Sequence, residues 1–265
     1  MIMEYRSELT RLFRPRMLLL WGGLMTLFAV MVNAVMFSTA TDGRSIPKGA
    51  PGVAFPDLAT LSSGAGLTAG LSAASSMFGV VTLSFWAMSV ATDYLSGLIR
   101  ILVAAQPRRW KLLAGKILAL LTMTALATAV ATVINLGVAR PFAEQAGIAT
   151  DAWGDGAASW IASAYVNTFL TMAVWGAIGL AIAAIARSSA VAISVGAGYV
   201  LVVESMIARV SSSVSDKLLG STLTALASGG NATMSFATSA WSGLAYAAAA
   251  IAVATVVVSR RDVTD

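Results

Sequence analysis

Cysteine and histidine are both absent from this 265-residue sequence, and charge is scarce. Without cysteine there is no disulfide, no thiolate metal ligand and no thiol nucleophile. Without histidine as well, zinc, haem and imidazole proton relays lose their usual ligands and carriers. The sequence therefore predicts no metal site and no catalytic residue. Charged side chains make up 11% of the chain, against roughly 25% in an ordinary soluble domain. The loop Gly-x-x-x-x-Gly-Lys-Ser/Thr that cradles nucleotide phosphates is also missing: Gly115-Lys116 is followed by Ile117, and position 110 is Trp.

What is present is apolar sequence. Hydrophobic residues make up 58% of the chain, and mean hydropathy is +0.82. A helix crossing the hydrocarbon core needs about 20 mainly apolar residues. Six runs qualify, at about 17–38, 70–92, 112–135, 160–186, 189–206 and 239–258. Backbone in lipid must satisfy its own hydrogen bonds, so each run is expected to be a continuous helix. The alternating ten-residue segments of a membrane barrel do not occur. The expected fold is all-α, a polytopic integral membrane protein with six transmembrane helices in a single transmembrane domain over 1–265.

Six spans alternate the gaps between two faces. Twelve of the 17 Lys and Arg fall on the face with both termini, chiefly in the leader to Arg16 and in the stretch from Arg100 to Lys116. The positive-inside rule makes that face cytoplasmic. The basic pI near 9.9 thus reflects topology, and nucleic acid is not an expected partner, because the basic residues are split by spans and lack interleaved aromatics. Composition fits a bacterial plasma (inner) membrane. The leader and first run are too long for a cleaved signal peptide. Residues 1–16 read instead as an amphipathic helix at the cytoplasmic interface, with Glu4 and Glu8 one turn apart and Leu9, Leu12 and Phe13 on another side. The outer gaps 39–69, 136–159 and 207–238 read as loops, the last with a short interfacial helix. Trp21, Trp110, Trp153 and Trp160 read as interfacial anchors.

The stretch between the second and third runs is charged where its neighbours are not. Leu95, Leu98, Ile99 and Leu102 recur at helical spacing and form one apolar stripe. Asp93 stands near the start of that helix, where the dipole favours an anion. Gly97 permits close backbone approach, Arg100 offers a charged contact, and Pro107 ends the helix. Residues 93–111 then read as a cytoplasmic helix, a turn and a basic re-entry. A loop that only fixes topology is the plainer reading.

The order Asp93, Gly97, Arg100, Pro107, Arg109 and Gly115-Lys116 resembles the central segment of the type-2 ATP-binding-cassette (ABC) permease family. There the pattern runs Glu-x-x-x-Gly-Thr, an apolar run, Pro, a basic residue and Gly-Lys at the entry to the third span. Asp93 departs from the Glu and Leu98 from the Thr. The resemblance extends to the N-terminal helix, the six spans and the long outer segment between spans five and six. It implies that Asp93, Leu95, Gly97, Leu98, Arg100, Leu102, Pro107, Arg109 and Lys116 form an ATPase-coupling segment. It also implies two cytoplasmic ATPase subunits as partners, a second permease, and ATP with magnesium bound by the partner rather than by this chain.

Polar groups inside spans are costly and so mark candidate sites. Glu204 lies near the outer end of the fifth run, where it lines a substrate exit, snorkels to the interface or pairs with Arg209. Asn33, Asn135 and Asn167 are candidates for the translocation pathway or for hydrogen bonds across helices. The resemblance favours a bacterial ABC exporter membrane subunit moving a hydrophobic or amphipathic substrate, with lipid as its surroundings. An ion-coupled secondary transporter would need ionisable groups at the midplane. A non-transporting membrane anchor or sensor is the third reading.

Overall fold

The computed structural model of the chain describes residues 2–41, 55–98, 109–204, 206–207 and 218–260. Within them the fold is all-helical, with no strand. Helix α1 (Ile2–Leu12) is followed at once by α2 (Pro15–Thr41). Pro15 suits the first position of α2, where no intrahelical N–H bond is lost. A short α3 (Leu58–Ser62) is capped by Asp57, whose Oδ1 accepts from Thr60 N at 2.9 Å. A 3-10 turn (Gly64–Thr68) and α4 (Ala69–Ala73) lead into α5 (Ser75–Leu95). Then come α6 (Arg109–Gln145), α7 (Ala157–Ala186) and α8 (Ser189–Gly198), the last continued by a π-helical turn (Tyr199–Glu204). Helices α9 (Leu219–Ala227) and α10 (Phe236–Arg260) close the order.

Five of these helices, α2, α5, α6, α7 and α10, are long and apolar enough to cross a membrane. The sixth sequence run, 189–206, appears as the shorter apolar helix Ser189–Glu204. Two boundaries differ from the sequence reading. The second run begins with separate pieces, because the chain breaks at Ala74 between α4 and α5. The third continues ten residues past Asn135 as helix, so 136–145 is not loop. At 37 residues α6 is about 55 Å long, well beyond the roughly 30 Å hydrocarbon core. It ends where Gly147 takes φ +69 and Ile148 N donates back to Ala143 O at 2.9 Å. That is the Schellman closure, with the buried Ile148 as its apolar contact.

Helices α5 and α7 form the centre. In each, 61% of the most apolar window is buried, against 28% in α2 and 11% in α10. They are held by an exchange of large and absent side chains. Trp175 of α7 fills the space over Gly79 of α5, and Trp86 of α5 fills the space over Gly176 of α7. A Cβ at Gly79 would lie 2.2 Å from the Trp175 ring, and one at Gly176 2.5 Å from Trp86. Between them Gly179 brings α7 against the Leu83 carbonyl. Small residues permit this approach where lipid offers no hydrophobic drive to association. The Trp86 indole N–H donates to Thr124 Oγ1 of α6 at 3.0 Å, tying in a third helix.

Trp21 and Trp153 are corrections to the anchor reading. Trp21 is buried and stacks on Phe85, ring centroids 4.2 Å apart and planes nearly parallel. Trp153 is buried and donates to Leu61 O at 2.9 Å, joining the two far-end connections. Trp110 and Trp160 keep substantial exposure.

Candidate functional site

Four charged side chains meet at the end of the bundle where α1, the last turn of α5 and the first turns of α6 converge. Glu8 Oε1 accepts from Arg11 Nη1 at 2.7 Å and Glu8 Oε2 from Lys116 Nζ at 3.0 Å. Asp93 Oδ1 accepts from Arg11 Nη2 at 2.5 Å and Asp93 Oδ2 from Lys116 Nζ at 2.6 Å. Each acid bridges both bases, and each base bridges both acids. The result is a closed square of alternating sign with no net charge. Glu8, Asp93 and Lys116 side chains are 8–10% exposed, and Arg11 keeps 30%, so the square opens to water on the Arg11 side alone. Burial opposes the Arg11 charge, but the bond to Asp93 and the nearby Glu8 outweigh it and hold the guanidinium above its ordinary pKa.

The local sequence explains how α1 gets close enough. A Cβ at Gly115 would lie 2.8 Å from Glu4 Cβ and 3.1 Å from Tyr5 N, so only glycine lets α1 lie on α6 there. Tyr5 OH and Thr122 Oγ1, 3.2 Å apart, extend the seam. Gly115-Lys116 is thus one device: glycine admits the helix, and lysine meets its acid and that of α5. Beside the square a cavity of about 50 Å³ is walled by Tyr94, Leu113, Leu180 and Val258, which brings α7 and α10 to the same end. Arg187, at the left-handed end of α7, lies 5.6 Å over the Tyr94 ring.

Several expected roles change. Asp93 does not open a coupling helix; it lies in the last turn of α5, buried and doubly paired. Lys116 is likewise committed inward and presents no charge to a partner. Gly97 takes φ +69, and nothing lies within 4 Å of a Cβ built there. It ends α5 in the left-handed conformation, and no described residue approaches it closely. Glu8, read as part of a polar face, turns inward because Lys116 awaits it. Leu95 is 79% exposed and Leu98 half-buried. Arg109 opens α6. Ile99, Arg100, Leu102 and Pro107 lie outside the described residues.

The polar groups within the bundle divide. Asn33 Nδ2 donates to Asn135 Oδ1 at 2.9 Å and to Ala29 O, and Asn135 Nδ2 donates to Leu67 O at 3.0 Å. Both are fully buried, and Gly70 packs directly on the pair. They tie together α2, α6 and the lead-in to α5. Glu204 Oε1 accepts from Gly220 N at 2.6 Å, which satisfies a free N–H at the start of α9; Arg209 lies outside the described residues. Asn167 joins neither group and faces a groove at the opposite end.

A family model described as "Protein of unknown function (DUF2705)" matches residues 26–264. The chain belongs to the DUF2705 family. No curated protein and no solved structure matches it. The DUF2705 match includes Asp93, Gly115 and Lys116; Glu8 and Arg11 precede it. Among the described residues no group of acids suits a metal ion. The square is suited to holding three helix ends together, and chemistry at it would first require one of its ion pairs to open.

Proposed function

We propose that this chain is the membrane-spanning permease subunit of an ATP-driven ABC exporter. In this reading six spans cross a bacterial plasma membrane, the square lies on the cytoplasmic side with both termini, and a second permease completes the pathway. Two cytoplasmic ATPase subunits supply ATP, magnesium and hydrolysis, since this chain has no phosphate-cradling loop. The substrate is a hydrophobic or amphipathic molecule.

The observation that carries the reading is the placement of the square. It fastens α1 to both helices that flank residues 96–108, the last turn of α5 through Asp93 and the second turn of α6 through Lys116. A force applied by a partner to the connecting segment reaches two spans and the N-terminal helix together. The exposed Leu95, with Leu98, belongs to the surface offered to that partner; Asp93 and Lys116 hold it in position.

The test is copurification from native membranes. An ATPase should accompany the chain and carry all hydrolysis. Leu98→Asp should leave the chain inserted but reduce ATPase recovery and transport. A rigorously purified single chain that hydrolyses ATP, or unchanged ATPase recovery and transport in Leu98→Asp, would overturn the proposal.

A further inference from the structure

We infer that the groove at the end of the bundle opposite the ion square is a binding site for a small uncharged amphiphile, with Asn167 as its hydrogen-bonding anchor. The groove measures about 680 Å³, within the usual 300–1,000 Å³ range of ligand sites. One wall is the lead-in to α5, with Thr68 and Ser72. The second is the start of α7, with Trp160, Ser163 and Asn167. The third is the turn from α9 to α10.

Asn167 is 7% exposed, and what remains accessible of it lines the groove. Of the other two buried asparagines, Asn135 bonds through both its amide atoms and Asn33 through Nδ2, and neither lines this groove. Asn167 alone of the three brings an amide donor and acceptor to this groove.

The wall facing it is pre-formed. Gly229, at φ +75, passes so close that a Cβ would lie 3.3 Å from Asn167 Nδ2. Gly230 N donates to Ala225 O at 2.7 Å, and Asn231 Oδ1 accepts from Thr233 N, Thr233 Oγ1 and Met234 N. A ligand need not order this turn, which favours binding.

The lining selects the ligand class. None of its described lining residues is ionisable, so a charged headgroup would lose water without gaining a counter-charge from them. Trp160, Phe55 and Phe236 offer flat apolar surface, and the hydroxyls and Asn167 offer hydrogen bonds. The complementary molecule has an apolar body and a hydroxyl, ester or amide group. As the cargo of a permease this ligand rests on the reading above; as a bound molecule it does not, and the following measurement needs no ATPase.

The experiment uses the full chain in phosphatidylcholine nanodiscs. Ser228, exposed at the rim, is replaced (Ser228→Cys) in the otherwise cysteine-free chain, and its maleimide labelling rate is measured. Monolauroylglycerol should slow labelling saturably; laurate and dodecyltrimethylammonium, of equal chain length, should not. Asn167→Leu should raise the half-protecting concentration about tenfold, the worth of one hydrogen bond. The isosteric Asn167→Asp should admit dodecyltrimethylammonium as a protector. Dilauroylglycerol placed in the disc separates the sources: protection by it identifies a bilayer lipid, and protection by monolauroylglycerol alone identifies a ligand arriving from water. Equal protection by all three soluble probes, or protection unchanged in both Asn167 variants, would overturn the site.

Discussion

Lys116 Nζ lies 2.6 Å from Asp93 Oδ2, and both side chains are withdrawn from water. The two residues are 23 apart in sequence and stand on either side of the most basic stretch of the chain. Removing one member of such a buried pair leaves the other uncompensated, at about 3–5 kcal/mol. Lys116→Met and Asp93→Asn should each lower the thermal stability of the detergent-solubilised chain strongly. The double variant should recover much of the loss, because Glu8 and Arg11 then remain as a simple pair. Additive losses in the double-mutant cycle would show that the two charges do not interact.

The contact of α5 with α7 should tolerate no added methyl. Gly79→Ala and Gly176→Ala each force a Cβ into an indole ring, and overpacking of this kind costs about 1–3 kcal/mol. Trp175→Leu should partly rescue Gly79→Ala, and Trp86→Leu should rescue Gly176→Ala less, since it also abandons the bond to Thr124. Unfolding temperatures of the four single and two double variants decide this. Rescue in neither double variant would refute the geometry.

Glu204 should behave as a cap. Glu204→Gln keeps an oxygen for Gly220 N and should cost about 0.5–1.5 kcal/mol at most. Glu204→Leu removes the acceptor and should cost more, with increased hydrogen exchange confined to α9. Equal effects of the two replacements would argue that the charge, not the hydrogen bond, is what matters.

Sidedness is testable at described positions. Ser96 and Ala149 are exposed near opposite ends of the bundle. Under the proposed orientation, Ala149→Cys should react with an impermeant thiol reagent in intact cells and Ser96→Cys should react only after permeabilisation. The reverse pattern would invert the topology.

The apolar runs made the five long helices legible, because a run of about 20 residues has few other fates. The end of α6 was misread for an identifiable reason. Hydropathy falls after Asn135 as Arg140, Pro141 and Glu144 arrive, yet helix continues wherever backbone bonds can form, and the stop signal is Gly147 followed by Ile148. Asp93, Gly115 and Lys116 were each conspicuous. Their partners were not, since the acid that completes the square, Glu8, lies over a hundred residues from Lys116 and carries the periodicity of an ordinary polar face. The Asn33–Asn135 bond was among the alternatives the sequence offered. Asn167 looked the same in sequence, and only its surroundings separate it from the other two. Trp21 and Trp153 followed the statistics of interfacial aromatics, whereas their rings are occupied by Phe85 and by the Leu61 carbonyl.

The mutual seating of Trp175 on Gly79 and Trp86 on Gly176 limits how the molecule can move. A plate held by one pin can swivel; a plate held by two cannot, and the Leu83–Gly179 contact beside them opposes slide. Helices α5 and α7 are therefore expected to move together as one strut. Any rearrangement between working states has to be a motion of that strut as a whole, with the yielding joints at its borders: the break at Ala74, the left-handed turn at Gly97 and the π-helical turn after α8.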